Sequence, residues 1–165
     1  MRKRTLAVLL WLCLFPCAVN SGYESDVPVN FVLPGLGGGE VAVADYRGQW
    51  VVLNYWATWC APCRKEIPEL SSMHTEREDI TVLGLAFEDT DDNALNAFLA
   101  EFAVSYPSLL VDVYAPPEPF GAPKVLPTTI VLDPTGRSVK AFLGPVTRAA
   151  IEQFIDAQAD TSSAR

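Results

Sequence analysis

A pair of cysteines at the junction of a predicted strand and a predicted helix constrains this chain most. Cys60 and Cys63 follow the apolar run Trp50–Trp56, typical of a strand buried on both faces, and precede the helix-like segment Arg64–Met73. Unpaired N–H groups and the positive end of the helix dipole favour thiolate over thiol at a helix N-terminus. The spacing lets Cys63 resolve a mixed disulfide formed at Cys60, so the sequence predicts a thiol-disulfide redox site.

Two other uses of the cysteine pair have less support. A structural disulfide that closes so short a loop gains little stability. A structural zinc ion needs four ligands, and His74 is the only histidine of the chain. We therefore expect no metal and no cofactor other than the redox-active Cys60–Cys63 disulfide, and we expect His74 to be a solvated surface residue.

Residues 1–21 have the pattern of a secretory signal peptide. The basic Met1–Arg4 is followed by the apolar Leu6–Phe15 and then by the small or polar Ala18–Gly22. The apolar run is shorter than the roughly 20 residues needed to cross a bilayer. We therefore favour a cleaved signal peptide, with an uncleaved segment that tethers the protein to the inner membrane as the alternative.

The rest of the chain is predicted to form one acidic domain. Cys13 and Cys17 lie in the leader, so only Cys60 and Cys63 remain after its removal, together with nine basic and 20 acidic residues, a net charge near −11. This charge makes nucleic acid an improbable partner. The length suits a single domain at residues 27–159, expected to be a monomer, and the polar residues 160–165 are expected to be a disordered tail.

The order of predicted elements indicates an α/β fold. Val27–Leu33 and Glu40–Ala44 flank a glycine-rich turn and predict an N-terminal β-hairpin. The remaining predicted strands and helices are Ile80–Phe87, helix Asn93–Val104, Leu109–Val113, Thr128–Leu132, Ser138–Leu143 and a last helix capped by Thr147. Pro68 is expected to kink or end the first helix. This order predicts a central mixed β-sheet flanked by helices, with right-handed crossovers.

The segment Leu53–Leu70 closely resembles the TlpA/ResA/DsbE-like family of extracytoplasmic thioredoxin-fold proteins. Asp45–Gly48, Leu126–Thr129 and Asp133–Arg137 resemble further motifs of that family, in the same order. The resemblance implies a thioredoxin-like fold and a periplasmic or otherwise extracytoplasmic disulfide reductase. It also implies a protein disulfide or thiol as substrate, such as apocytochrome c during cytochrome c maturation, and a thiol-disulfide electron donor in the membrane.

One position departs from the thioredoxin pattern. Thioredoxins carry a buried aspartate six residues before the first cysteine, where this chain has Asn54, which cannot titrate. Glu66 lies one helical turn after Cys63 and on the same face. The resemblance assigns a glutamate at this position a role in tuning or deprotonating the site; the alternative is a surface glutamate paired with Arg64 or Lys65. We favour the catalytic role, because a partly buried carboxyl has a raised pKa suited to proton exchange near neutrality.

Three residues are predicted to bind substrate. The resemblance implies a cis bond before Pro127, which would place the Leu126 backbone beside the Cys60 sulfur, free to pair with an extended substrate. The alternative is an ordinary trans proline at a strand start. Trp59 is expected on the surface around the reactive thiol. Glu88–Thr90 should emerge at the same sheet edge, with a role as helix cap favoured.

Other functions remain open at this point. The same pair could act as an oxidant that donates its disulfide, because direction depends on reduction potential and Ala61–Pro62 does not set it. A non-catalytic binding or recruitment protein would tolerate replacement of both cysteines. A peroxidase is disfavoured, because the closely spaced pair after the first long strand is not the usual peroxiredoxin arrangement.

Overall fold

A computed structural model describes residues 22–118 and 120–163 of the chain. The predicted signal peptide or anchor at residues 1–21 lies outside the described residues. Across those two described ranges, no helix is both long and apolar enough to span a bilayer.

Within the described residues, seven strands form two sheets. The N-terminal hairpin pairs β1 (Val32–Pro34) with β2 (Glu40–Ala42). The central sheet contains β3 (Trp50–Trp56), β4 (Ile80–Ala86), β5 (Ser108–Leu110), β6 (Thr128–Leu132) and β7 (Ser138–Leu143). Its spatial order is β5-β4-β3-β6-β7, with β3, β4 and β5 parallel and β6 and β7 joined by antiparallel pairings. The predicted mixed sheet and hairpin are confirmed.

Two predicted strands are shorter than expected. The hairpin begins at Val32 rather than Val27, because the backbone N–H of Val29 bonds to the carbonyl of Gly136 in the β6–β7 turn. The strand predicted at Leu109–Val113 ends at Leu110, because the side chain of Asp112 accepts the N–H of Tyr114 at 2.8 Å and closes a turn.

The described part of the chain also contains a short 3-10 helix at Val43–Tyr46 and three α-helices that accompany the central sheet: α1 (Ala61–Glu76), α2 (Asp92–Glu101) and α3 (Arg148–Ser163). Pro68 lies inside α1 and does not end it. The last helix continues to Ser163, into the segment 160–165 for which the sequence predicts a disordered tail. Ala157, Gln158 and Ala159 are good helix formers, and the Thr161 hydroxyl donates to the carbonyl of Ala157 at 2.9 Å.

The two faces of the central sheet have different covers. Val51, Leu53 and Tyr55 of β3 point to one face, which we call the apolar face. The N-terminal segment and the loop after β5 cover it with Tyr23, Val29, Val43, Val111 and Phe120. Val52 and Trp56 point to the opposite face, which we call the helix face, because all three helices pack on it through Leu70, Met73, Leu95, Phe98, Ile151 and Ile155. Right-handed crossovers explain why α1 and α2 share a face.

A row of three polar residues and one glycine crosses the helix face. Thr129, Asn54, Gly84 and Ser108 are successive partners in the register of β6, β3, β4 and β5, and we call them the polar row. All three of its side chains are buried. The row lies between the apolar cluster around Val52 and the one that contains the two cysteines.

His74 is not the solvated surface residue that the sequence predicted. It is half-buried late in α1, its Nδ1 accepts the backbone N–H of Val82 at 3.2 Å, and its ring meets Tyr106 edge to face. Burial lowers the pKa of His74, in keeping with a neutral ring that accepts this bond.

Candidate active site

The two cysteines form a disulfide at the N-terminus of α1, with the sulfurs 2.00 Å apart. Cys60 is the N-cap residue, and its Sγ accepts the backbone N–H of Cys63 at 3.3 Å. Pro62 lies in the first turn, where a missing N–H leaves no hydrogen bond unmade. In the reduced protein the same N–H group and the helix dipole stabilise a thiolate at Cys60.

The cysteines differ little in exposure. Both residues are buried, with Cys60 4% exposed and Cys63 1% exposed. Cys63 lies deeper, in the apolar cluster with Trp56 and Ile67. Trp56 fills the core, as predicted, and stacks on Phe98 with ring centroids 5.0 Å apart.

Glu66 lies on the buried face of α1, with 4% of its surface exposed. The alternative of a surface glutamate paired with a neighbouring cation is therefore wrong. Arg64 instead pairs with Glu101 at 3.1 Å and lies over the ring of Phe102, 4.9 Å from its centroid.

Three donors hold the Glu66 carboxylate. Oε1 accepts from Asn54 Nδ2 at 3.0 Å and from the Thr129 hydroxyl at 2.9 Å, and Oε2 accepts the backbone N–H of Val146 at 3.3 Å. Burial raises the pKa of Glu66 to about 7, although the bonds from Thr129 and Val146 oppose this rise and the charge of Glu69 adds to it. A carboxyl with such a pKa can take up and release a proton near neutrality.

A cleft of about 460 Å³ connects Glu66 to the surface. It lies between the start of α1 and the loop that precedes α3. Its other lining residues are Ala61, Pro62, Lys65, Glu69, Pro145, Val146 and Thr147. Protons can therefore reach the Glu66 carboxyl from solvent without crossing the apolar core.

The three predicted substrate-binding residues lie at the same end of the sheet. Trp59 is 69% exposed and lines a second cleft, of about 500 Å³, together with Leu126. Leu126 also packs against the apolar cluster that holds both cysteines. The Leu126–Pro127 peptide bond is cis, as the resemblance implies, and Pro127 is buried.

Glu88 does not contribute the cap of α2. That cap is Asp91, whose carboxylate accepts the N–H groups of Asn93 and Ala94 at 2.9 and 3.0 Å. Glu88 accepts the N–H and the hydroxyl of Thr58, both at 2.8 Å. It therefore braces the turn that joins β3 to the cysteines.

Sequence reasoning did not identify two partners of Glu66. Thr129 is one of two neighbouring threonines at the start of β6, and only the register of the sheet, which pairs it with Asn54, distinguishes it from Thr128. Val146 contributes only a backbone N–H, and no side-chain pattern marks such a donor. The donor role of Asn54 follows only once Glu66 is known to be buried.

Comparison with known proteins agrees with this geometry. Residues 25–143 match the model of the AhpC/TSA family. The chain belongs to the AhpC/TSA family. It is 30% identical over 152 residues to the thiol-disulfide oxidoreductase ResA of Bacillus subtilis (strain 168), covering 84% of this chain and 80% of that protein.

Two solved structures extend the likeness to the fold. One is a thiol:disulfide interchange protein DsbE from Chlorobium tepidum, 28% identical with a TM-score of 0.72, covering 81% of this chain and 96% of the other. The second is a secreted thiol-disulfide isomerase from Corynebacterium glutamicum, 33% identical with a TM-score of 0.66, covering 75% and 80%. With the Cys60–Cys63 disulfide, these relatives identify this AhpC/TSA protein as a thiol-disulfide oxidoreductase of thioredoxin-like fold.

Proposed function

We propose that the protein reduces disulfides of exported proteins through Cys60 and Cys63. The observation that carries this proposal is the placement of Cys60 as the N-cap of α1, in a disulfide with Cys63. In the reduced protein, the Cys60 thiolate attacks a substrate disulfide, and the first substrate sulfur leaves as a thiolate. The result is a mixed disulfide between Cys60 and the substrate.

Cys63 completes the reaction. Its thiol loses a proton, attacks the Cys60 sulfur and releases the second substrate thiol, which leaves the Cys60–Cys63 disulfide in the protein. Two electrons pass to the substrate in each cycle. A dithiol electron donor in the membrane then returns two electrons to the pair.

Glu66 accepts the proton of Cys63 in this proposal. Cys63 is almost fully buried, so bulk water has little access to its thiol, whereas Glu66 follows it by one turn of the same helix. A pKa of about 7 lets Glu66 take the proton and pass it to the cleft at neutral pH.

The substrate lies against Trp59, Leu126 and Pro127. Trp59 and Leu126 line one cleft, and Leu126 packs against the cluster that contains both cysteines. An extended substrate segment pairs with the Leu126 backbone there in a β-augmentation mode. No cofactor beyond the cysteine pair takes part in this proposal.

The protein acts outside the cytoplasm, in the periplasm or an equivalent compartment, as a monomer. Support for this location comes from the signal-peptide pattern of residues 1–21 and from the likeness to a secreted protein of Corynebacterium glutamicum. Whether the leader is cleaved or remains as a tether is decided by the mass of the mature protein. Within this compartment, we favour an apocytochrome c as substrate, because the resemblance to the TlpA/ResA/DsbE-like family implies this role.

Trapping in the exporting cell tests the substrate and the order of the two cysteines. Cys63→Ala should accumulate disulfide-linked adducts at Cys60, to be identified by mass spectrometry, because the resolving thiol is absent. Cys60→Ala is the matched control and should accumulate far fewer. Adducts of equal yield in both variants would contradict the assignment of Cys60 as the attacking residue.

The direction of electron flow is tested by equilibrium with glutathione buffers. A reductant should have a potential well below the value of about −120 mV that marks a strong oxidant such as DsbA. A potential near that value would instead show that the protein donates its disulfide.

A further inference from the structure

Glu66 is held from one side by a closed ring of hydrogen bonds. Asn54 and Thr129 are partners in the antiparallel pairing of β3 and β6, so their side chains lie next to each other on the helix face. The two hydrogens of the Asn54 amide go to Thr129 Oγ1 at 2.9 Å and to Glu66 Oε1 at 3.0 Å. The Thr129 hydroxyl gives its own hydrogen to the same Oε1 at 2.9 Å.

The two carboxylate oxygens of Glu66 therefore differ. Oε1 receives two hydrogen bonds from side chains that are 0% and 1% exposed, those of Thr129 and Asn54. Oε2 receives one longer bond, from the N–H of Val146, a residue that lines the 460 Å³ cleft. A proton on Oε1 would displace one of two buried donors, whereas a proton on Oε2 would disturb only the longer contact.

We propose that Asn54 and Thr129 are positioning residues for Glu66, holding Oε1 as a fixed acceptor so that Oε2 is the oxygen that binds and releases the proton. This inference rests on the proposed function, in which Glu66 accepts the proton of Cys63. Asn54 and Thr129 carry no charge and touch no reacting atom. They act by fixing the direction in which the Glu66 carboxyl exchanges its proton.

The groups around Glu66 explain why asparagine suits position 54. From α1, Glu69 and Lys65 share its cleft, and Cys63 lies one turn away. From the segment before β5, Tyr106 faces it, and the negative charge of Glu66 adds to the burial that raises the pKa of Tyr106. The loop before α3 contributes only the N–H of Val146.

An aspartate at position 54 would replace the amide donor with a second carboxylate, about as close to Glu66 Oε1 as the present 3.0 Å bond. Two carboxylates at such a distance cannot both ionise at neutral pH. The chain therefore keeps a single titratable carboxyl at this site, on the helix rather than on the strand.

Carbon-13 NMR titration of the Glu66 carboxyl in the oxidised protein tests this inference, because the cysteines of a disulfide do not titrate. Thr129→Val keeps the shape of the side chain and removes a donor to the ionised form, so the pKa of Glu66 should rise by about one pH unit. Thr129→Ser restores the hydroxyl and should restore the titration. Asn54→Asp should give two coupled titration steps, with one of them above that of the wild type.

Thr128→Val is the matched control. Thr128 is the neighbouring residue, points to the opposite face of the sheet and donates to the carbonyl of Val125 at 2.7 Å. Its replacement should leave the pKa of Glu66 where it is. If Thr129→Val does not fold, Asn54→Leu removes the other side-chain donor to Oε1 and should also raise the pKa of Glu66; an unchanged pKa would overturn the positioning role.

A kinetic measurement separates this inference from the function on which it rests. If both hold, the pH midpoint for resolution of the mixed disulfide shifts upward in Thr129→Val by the same amount as the carboxyl titration. A shifted titration with an unshifted resolution profile would support the positioning role and overturn the catalytic role of Glu66. An unshifted titration in Thr129→Val would overturn the positioning role.

Discussion

The two faces of the central sheet are covered by side chains of different chemistry. On the apolar face, Leu53 and Tyr55 of β3 pack in the cluster that contains Val29 and Val43. On the helix face, Asn54 between them belongs to the polar row and bonds to Glu66. Both faces therefore contribute apolar packing, but the helix face also holds a buried carboxyl on the helix that carries the disulfide.

The free-energy cost of burying the Glu66 carboxylate explains why hydrogen-bond donors surround it. Burial of an ionisable group disfavours its charged form, and hydrogen bonds to the charged form offset part of this penalty. Asn54, Thr129 and Val146 reduce the cost for Glu66 without removing it, because its pKa remains at about 7. Burial of Glu66 on the helix face thus lowers the stability of the fold, and it provides a carboxyl that titrates near neutral pH.

The largest expected effect is on the apolar face. Leu53 is fully buried, so Leu53→Ala should lower the free energy of unfolding by about 4 kcal/mol, through lost burial and the cavity left behind. Urea unfolding of the oxidised protein measures this. Resolution of the mixed disulfide by the folded fraction should stay at the wild-type rate. A tenfold slower resolution would show that the faces are not functionally separate.

The pH dependence of the free energy of unfolding should reveal the cost of burying Glu66 on the helix face. The pKa of Glu66 is raised in the folded state, from 4.5 to about 7. Between these values the unfolded chain has lost a proton that the folded protein keeps, so the stability contributed by Glu66 falls as pH rises through this window. At about 1.4 kcal/mol per pH unit, the loss is roughly 3 kcal/mol.

The difference between wild type and Glu66→Gln isolates that loss, because the other carboxyl groups cancel. Relative to wild type, the variant should gain stability steadily as pH rises from 4.5 to about 7 and no further above it. Chemical unfolding at intervals of pH gives both curves. Parallel curves would mean that Glu66 titrates as an exposed carboxyl does.

A smaller effect is expected in the polar row, at Gly84. A Cβ there would lie 2.9 Å from Trp56 Nε1, 3.0 Å from Ser108 Oγ and 3.0 Å from Cε2 of Tyr106. Gly84→Ala should therefore destabilise the protein by about 2 kcal/mol through overpacking. In Gly37→Ala the added Cβ meets nothing within 4 Å, so this control should change stability by less than about 0.5 kcal/mol. Equal thermal midpoints for the two variants would contradict the close packing at Gly84.

The sequence predicted the parts of this molecule that depend on local pattern. The apolar run Trp50–Trp56 reads as a buried strand, and the spacing of Cys60 and Cys63 after it predicts the disulfide at a helix N-terminus. The contact between Asn54 and Thr129 could not be predicted from local pattern. It depends on the register of two strands that are 75 residues apart.

The errors have a common cause. The sequence favours a helix cap for the segment Glu88–Thr90, because it contains Asp89 and Thr90, and it favours a surface position for His74. In the folded protein, Glu88 accepts hydrogen bonds from Thr58, and His74 accepts the N–H of Val82. Neither partner belongs to the same helix, strand or loop as the residue it binds. Contacts between separate helices, strands and loops override the preference of a single residue.

The central claim is that Glu66 removes the proton of Cys63, and stopped-flow turnover of Glu66→Gln with a model disulfide tests it most directly. Resolution of the mixed disulfide should slow by on the order of 10², as expected for the loss of one acid-base group, while attack by Cys60 changes less. The mixed disulfide should then accumulate in the variant and not in the wild type. Resolution at the wild-type rate from about pH 5 to about pH 9, in a variant that folds normally, would contradict the account and leave water as the base.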